Sequence, residues 1–322
     1  MMESNNQSPG IGIPHDRCPE MTLDMVEHDI ACHVLGYSWT EKGPLWTLLP
    51  LEHIQEKLFL SSDPFDLELF SGFRPEFRVS PASYCVGRFE ASGYIQCPDQ
   101  ASVSIFAQCP SCMAFEIPDP ACVFEPHCRM GSCGAEFCQI EHVVYLTAFR
   151  NRFKVGMTQL RRYRERGMEQ GADMILPLLV LGDRYSARKM EERISRSLGL
   201  PQAVSSREKM KGWSLSLKED EVRKELLSLK ERLVKGWEKV EGRSSDIKLV
   251  MAPDEFEEEA VRLDYPLKEP LKGVPRAYKG PIVRGDLVGF KGNYMIFDSG
   301  GLRAFRMGET PGRVVYFSKE LK

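Results

Sequence analysis

Of the ten cysteines in this 322-residue chain, six fall between Cys109 and Cys138. Thiolates are soft metal ligands, and cysteines this dense in a Pro- and Gly-rich stretch suit metal ligation better than disulfide bonding in a reducing compartment. In Cys109-Pro-Ser-Cys112, two intervening residues let both sulfurs meet one ion about 2.3 Å away while backbone N–H groups point at them. Cys138 and His142 stand in C-x3-H spacing, and Cys128 and Cys133 bracket a Gly turn, so these four would close a second site. The expected ligands are Cys97, Cys109, Cys112, Cys122, Cys128, Cys133, Cys138 and His142, with Cys85 and His127 as substitutes. Eight ligands make two tetrahedral zinc sites, and sites closed by protein ligands are structural. An iron–sulfur cluster draws on the same thiolates, and the histidine favours zinc.

A second group of residues offers phosphate chemistry. Val143 to Arg166, VVYLTAFRNRFKVGMTQLRRYRER, joins two short apolar runs to a burst of arginines. Arg161, Arg162, Arg164 and Arg166 follow a Gly-containing turn, where a strand-to-helix junction would present free N–H groups to a phosphate. The charge is regional: residues 150–243 hold 23 Lys and Arg against 14 Asp and Glu, a surplus of nine in a chain of net charge −3, so the remainder stands near −12. Such a local surplus suits a polyanion, and Arg161, Arg162 and Arg166 are expected to contact the backbone of DNA or RNA. The plain alternative is a solvated helix surface.

The elements that must position these groups are legible in outline. Residues 1–29 read as a flexible terminus. Residues 30–96 carry short β-type runs such as HVLGYSW, LWTLLP and EFRVS, broken by Pro, Gly, Asp and Ser, and form a small mainly β module. Residues 97–142 are a cysteine-rich module in which bound metal replaces a hydrophobic core. Residues 143–203 read strand, strand, helix, strand, helix, with Ser186 as the N-cap of the last helix and Gly199-Leu200-Pro201 ending it. Residues 204–247 form a helical segment where Val222, Leu226, Leu229, Leu233, Trp237 and Val240 recur at spacings of three and four, a stripe for core packing. Residues 248–322 open on an acidic link and continue as a small antiparallel sheet or barrel, a candidate surface for a protein partner. The fold class is α+β: an α/β domain with a small antiparallel sheet and helices, a zinc module, and small β modules at both ends.

With 42% hydrophobic residues the chain can bury a full core. It has no apolar run near the roughly 18 residues that span a bilayer, and its first thirty residues lack the pattern of a signal peptide. A cytoplasmic location without membrane contact is expected.

Tyr145 ending VVY, Gly156 ending KVG, Arg164 eight positions on, and Glu191 inside ARKMEERI together resemble the GIY-YIG nuclease domain. In that family the two tripeptides end adjacent antiparallel strands, the arginine lies on the following helix, and a glutamate on a later helix holds one divalent metal. The resemblance implies that Tyr145 helps take a proton from water, that Arg164 sits on phosphate oxygens, and that Glu191 binds Mg²⁺ or Mn²⁺. Lys154 stands in place of the second motif's tyrosine, where it can contact phosphate but is a poor general base unless its pKa is strongly depressed. After the glutamate helix the family's late asparagine is lacking, and the region offers only Gln202. The implied activity is divalent-metal-dependent phosphodiester cleavage. The alternative is a catalytically inactive module, stabilised by structural zinc, that binds nucleic acid or recruits protein. The residues also have an ordinary account, with Tyr145 a strand tyrosine whose hydroxyl is satisfied and Glu191 the partner of Arg188 or Lys189. A wider resemblance runs from about Val34 to Phe317 and is carried by HVVYL, KVGMT, EQGAD, the cysteines and GDLVGFKGNYMIFD. It is to the uncharacterised prokaryotic family catalogued as domain of unknown function 2797, and implies architecture rather than activity.

Overall fold

Strand His142–Phe149 is buried along its whole length, and it turns at Arg150 and Asn151 into the antiparallel strand Arg152–Gln159. These belong to a computed structural model that describes residues 30–40, 43–54, 57–60, 63–69, 73–117, 119–123, 125–126, 134–238 and 260–317. The expected flexible terminus, His127, Cys128 and Cys133 lie outside the described residues. Arg150 takes the left-handed conformation (φ 54°) that the tight hairpin turn needs, and its backbone N–H donates to the Asp173 carboxylate at 2.5 Å. Strand Met174–Leu181 pairs antiparallel with the other edge of His142–Phe149, and Val261–Arg262 extends the sheet beyond it. Pro177 is tolerated because the pairing is bulged between Pro177 and Leu179, where no ladder donor is required.

Helices Tyr163–Gln170 and Arg184–Leu198 complete the expected strand, strand, helix, strand, helix order. The N-cap of the second helix is Asp183, not Ser186: its carboxylate accepts the Ser186 N–H at 2.8 Å and the Ser186 hydroxyl at 2.7 Å. Both residues cap well, and the one whose backbone is extended where the chain enters the helix takes the role. Gly199 ends the helix in the left-handed conformation, as expected. Along helix Glu219–Glu238, Val222, Leu226, Leu229 and Leu233 share one core with Val144, Leu146, Val155 and Leu176 of the sheet and Ala187, Met190 and Ile194 of the neighbouring helix. The apolar stripe therefore packs as its spacing predicts; the side chain of Trp237, and Val240, lie outside the described residues.

The two end segments, expected to be separate β modules, share a sheet. Its order is Ile282–Arg284, Glu76–Ser83, Arg313–Phe317, Ile30–Thr40, Gly43–Ile54 and Lys57–Leu60, with Phe65–Glu68 also on Gly43–Ile54. Arg313–Phe317 inserts between two strands more than 200 residues earlier in the chain. A local pattern of alternation identifies strands but carries no information about partners so distant. A second sheet (Asp286–Lys291, Tyr294–Asp298, Leu302–Arg306, Arg276–Tyr278) contains one parallel pair, between Arg276–Tyr278 and Leu302–Arg306. Trp46, Phe77 and Phe317 of the first sheet and Phe290, Phe297 and Phe305 of the second bury into one aromatic core.

These β sheets are tied to the α/β unit by buried charge. Lys291 is 1% exposed, and its ammonium lies 2.5 Å from Asp173 and 3.0 Å from Glu269. Arg150, also buried, reaches Asp173 at 2.5 Å and Glu269 at 2.8 Å. Two cations and two carboxylates thus neutralise one another at the joint.

Candidate functional site

The side chains of Cys85, Cys97, Cys109 and Cys112 are buried, and their four sulfurs lie within 4.8 Å of one another. Cys85 follows the strand Glu76–Ser83 through a bridge between Tyr84 and Ser102, while Cys109 and Cys112 flank the start of a one-turn helix, Pro110–Met113. A tetrahedral ion with metal–sulfur bonds of about 2.3 Å separates its sulfurs by about 3.8 Å. The Cys97 and Cys109 sulfurs are 3.9 Å apart, and the Cys109 N–H donates to the Cys85 sulfur at 3.2 Å, the amide-to-thiolate bond that stabilises such a centre. Four thiols at this spacing fit one zinc ion. Burial raises the Cys112 pKa, as do the neighbouring thiols. Burial also opposes the Cys97 thiolate, but N–H groups of Ala101 and Asp99 outweigh it and lower that pKa. A cation among the sulfurs would relieve the shared cost.

Membership of this centre differs from the expected grouping in one place. Cys85, named only as a substitute, supplies the fourth thiol, and Cys122 does not. Cys122 sits instead beside the α/β unit, where its carbonyl accepts from Arg184 at 2.5 Å. Cys138 and His142 are buried apart from the tetrad, and the His142 Nδ1 is 2.8 Å from the Ile140 carbonyl. Among the described residues only one group of this kind occurs; the expected second site would need Cys128 and Cys133, which lie outside them.

A polar cleft of about 420 Å³ opens beside the edge strand Arg152–Gln159. Tyr145, Lys154, Gly156 and Glu191 line it together with Arg162, Arg166, Arg184, Arg188 and Gln202. Tyr145 and Gly156 are direct cross-strand partners, and the tyrosine ring lies where a side chain at 156 would project, 2.8 Å from an added Cβ. Gly156→Ala is therefore expected to destabilise the fold by about 1–3 kcal/mol through overpacking; an unchanged urea midpoint would show that the ring has room to move. The Tyr145 hydroxyl accepts from Gln170 at 3.0 Å, and burial pushes its pKa up to about 12.

Lys154 is buried, with its ammonium 3.4 Å from the Gln202 carbonyl. Burial first, and the Arg166 charge second, lower its pKa to about 8. Glu191 pairs with Arg188 at 2.8 Å, the ordinary partner its position suggested, and burial still raises its carboxyl pKa. Arg188 also holds Glu125 at 2.8 Å, and Arg184 lies over the Phe137 ring at 5.0 Å, so the cysteine-rich segment forms one wall of the cleft.

Arg164, the arginine expected on phosphate, is exposed and does not line the cleft. Arg166 takes that place, paired with Glu169 at 2.8 Å; Arg162 reaches the same carboxylate at 2.6 Å, and Arg161 is held by Gln159 at 3.2 Å. Arg184 was not anticipated, although its i, i+4 spacing from Arg188 on a helix that also carries Glu191 was the available signal. As a Mg²⁺ site the cleft fits poorly: it offers one carboxylate, already held by a guanidinium that an ion would have to displace.

Among the described residues no helix is long and apolar enough to cross a membrane. A family model described as "Protein of unknown function (DUF2797)" matches residues 76–312, a span that contains the cysteine tetrad and the whole cleft. No curated protein and no solved structure matches the chain.

Proposed function

The chain belongs to the DUF2797 family, and from that premise we propose that it is a zinc-stabilised protein that binds nucleic acid by its backbone, with the cleft gripping one phosphate. The observation that carries this reading is the convergence of Lys154, Arg162, Arg166, Arg184 and Arg188 on one polar cleft against a single lining carboxylate, Glu191. A phosphodiester satisfies such a cluster through charge-assisted hydrogen bonds, and guanidinium groups match its oxygens two at a time. The zinc centre is structural in this reading, supporting the segment that supplies Pro126 and Phe137 to the cleft wall.

The test uses the full chain with short single- and double-stranded DNA and RNA. Affinity should fall steeply with salt, and replacing both Arg162 and Arg166 by Glu should flatten the logarithmic slope by about one, because each phosphate neutralised adds about one to it and the cleft holds one. A slope unmoved by the double variant would place the footprint elsewhere.

Phosphodiester cleavage is a second reading, favoured specifically by the lowered pKa of Lys154, the condition under which a lysine can act as a base. The two readings predict opposite pH trends. If the ammonium only holds phosphate, affinity declines as pH rises through about 8; if the free amine accepts a proton from water, cleavage rises over the same interval. Lys154→Met should weaken binding in the first case and abolish cleavage in the second. A panel of substrates left uncut at every pH, with binding intact, leaves the binding reading alone.

A further inference from the structure

A larger cavity, of about 760 Å³, lies between the two β sheets, with Ser206 and Met210 of helix Ser206–Gly212 in its lining. It shares no lining residue with the polar cleft. Its volume falls in the range of roughly 300–1,000 Å³ typical of small-molecule sites. The strands that line it are far apart in sequence, and their side chains fall into two sets.

The first set is apolar and aromatic. Val79, Pro81, Met210 and Phe305 line the cavity with Tyr278 and Tyr294. Edge-on contacts with Phe297 (5.4 Å) and Trp213 (5.6 Å) fix the two tyrosine rings, and the Tyr278 hydroxyl donates to the Ile282 carbonyl. The second set is cationic: Arg78, Lys279, Arg306 and Arg313 line the cavity against one carboxylate, Glu309, which is already paired with Arg306 at 2.6 Å. An uncharged apolar ligand would make no use of the cations. A bare inorganic anion would leave most of the apolar wall facing water.

The geometry points to a binding site for a nucleoside phosphate, its base against the tyrosine and apolar walls and its phosphate on Lys279 and Arg313. Fixed aromatic rings accept any base by stacking, so the site recognises the class rather than one base. The inference stands independently of the reading of the polar cleft, because neither set of residues takes part in it.

Calorimetric titration of the full chain with AMP, GMP, CMP and UMP, with the matching nucleosides, and with inorganic phosphate and decanoate, tests the assignment. At least one nucleotide should bind about tenfold or more tightly than its nucleoside and than phosphate alone. Lys279 is exposed, so Lys279→Glu should leave the fold intact while weakening that nucleotide by about tenfold or more. Ala277, exposed at the same wall, offers a second variant, since Ala277→Trp fills the cavity and should remove binding. Nucleotide affinity unchanged in both variants would overturn the assignment, as would binding of decanoate without any nucleotide, or no nucleotide binding by the wild type.

Discussion

Cys109→Ser is expected to remove one zinc ion per chain and with it the folded cysteine-rich module. Structural zinc contributes about 10–16 kcal/mol of apparent binding energy in small domains, and where metal takes the place of an apolar core that energy is folding energy. The four sulfurs here lie within 4.8 Å, and among the described residues only Ala101 and Val103 pack on them as partly buried apolar neighbours, so the metal carries much of what holds this centre together. Soluble yield should fall sharply, and elemental analysis of what remains should show one zinc fewer than wild type. Cys85→Ser should do the same, which separates the observed tetrad from one built on Cys122. Cys32 provides the control: it is buried in strand Ile30–Thr40, away from the tetrad, and burial pushes its thiol up to about 11, so Cys32→Ser should leave the metal count alone. Iron with sulfide in place of zinc would sink the assignment. A wild-type count of two rather than one would assign the second ion to the remaining cysteines.

Lys291→Met is expected to destabilise the protein by about 3–5 kcal/mol, because removing one partner of a buried ion pair leaves the opposite charge uncompensated. Asp173 is 3% exposed and, among the described residues, would retain Arg150 as its one cationic partner, itself 5% exposed and shared with Glu269. The loss falls at the joint between the α/β unit and the β sheets, where Lys291 also lies 4.8 Å from the Tyr265 ring centre. Urea unfolding at neutral pH measures it. Lys218 and Glu221 form a comparison pair whose side chains are each 70% exposed, and Lys218→Ala should change stability by no more than about 1 kcal/mol. Equal midpoints for the two variants would mean that the buried network contributes no more than a surface pair.

Cleft and joint use charge differently. At the joint two cations meet two carboxylates, and the group is neutral and closed. At the cleft five cationic side chains face one lining carboxylate, with Glu169 behind Arg162 and Arg166. An excess of buried or half-buried positive charge costs stability unless an anion relieves it, which is why the cleft and not the joint is the place to look for a ligand.

The sequence alone determined what depends on neighbours along the chain. Hydrophobic period and turn residues were enough to order strand, strand, helix, strand, helix between residues 143 and 203 and to set the stripe of Val222, Leu226, Leu229 and Leu233 toward a core, and the two-residue spacing of Cys109 and Cys112 marked them as a ligand pair. The resemblance to the GIY-YIG pattern, rather than periodicity, grouped Tyr145, Lys154 and Glu191, and all three line the cleft. Tertiary structure decided the rest. Cys85 rather than Cys122 joins the tetrad, and Arg166 rather than Arg164 turns into the cleft, because ligand membership and helix rotation depend on how elements dock. The two end segments form one sheet because Arg313–Phe317 finds its partners across most of the chain. Long-range pairing is chosen by the total apolar surface it buries, and that sum exists only once the chain has folded.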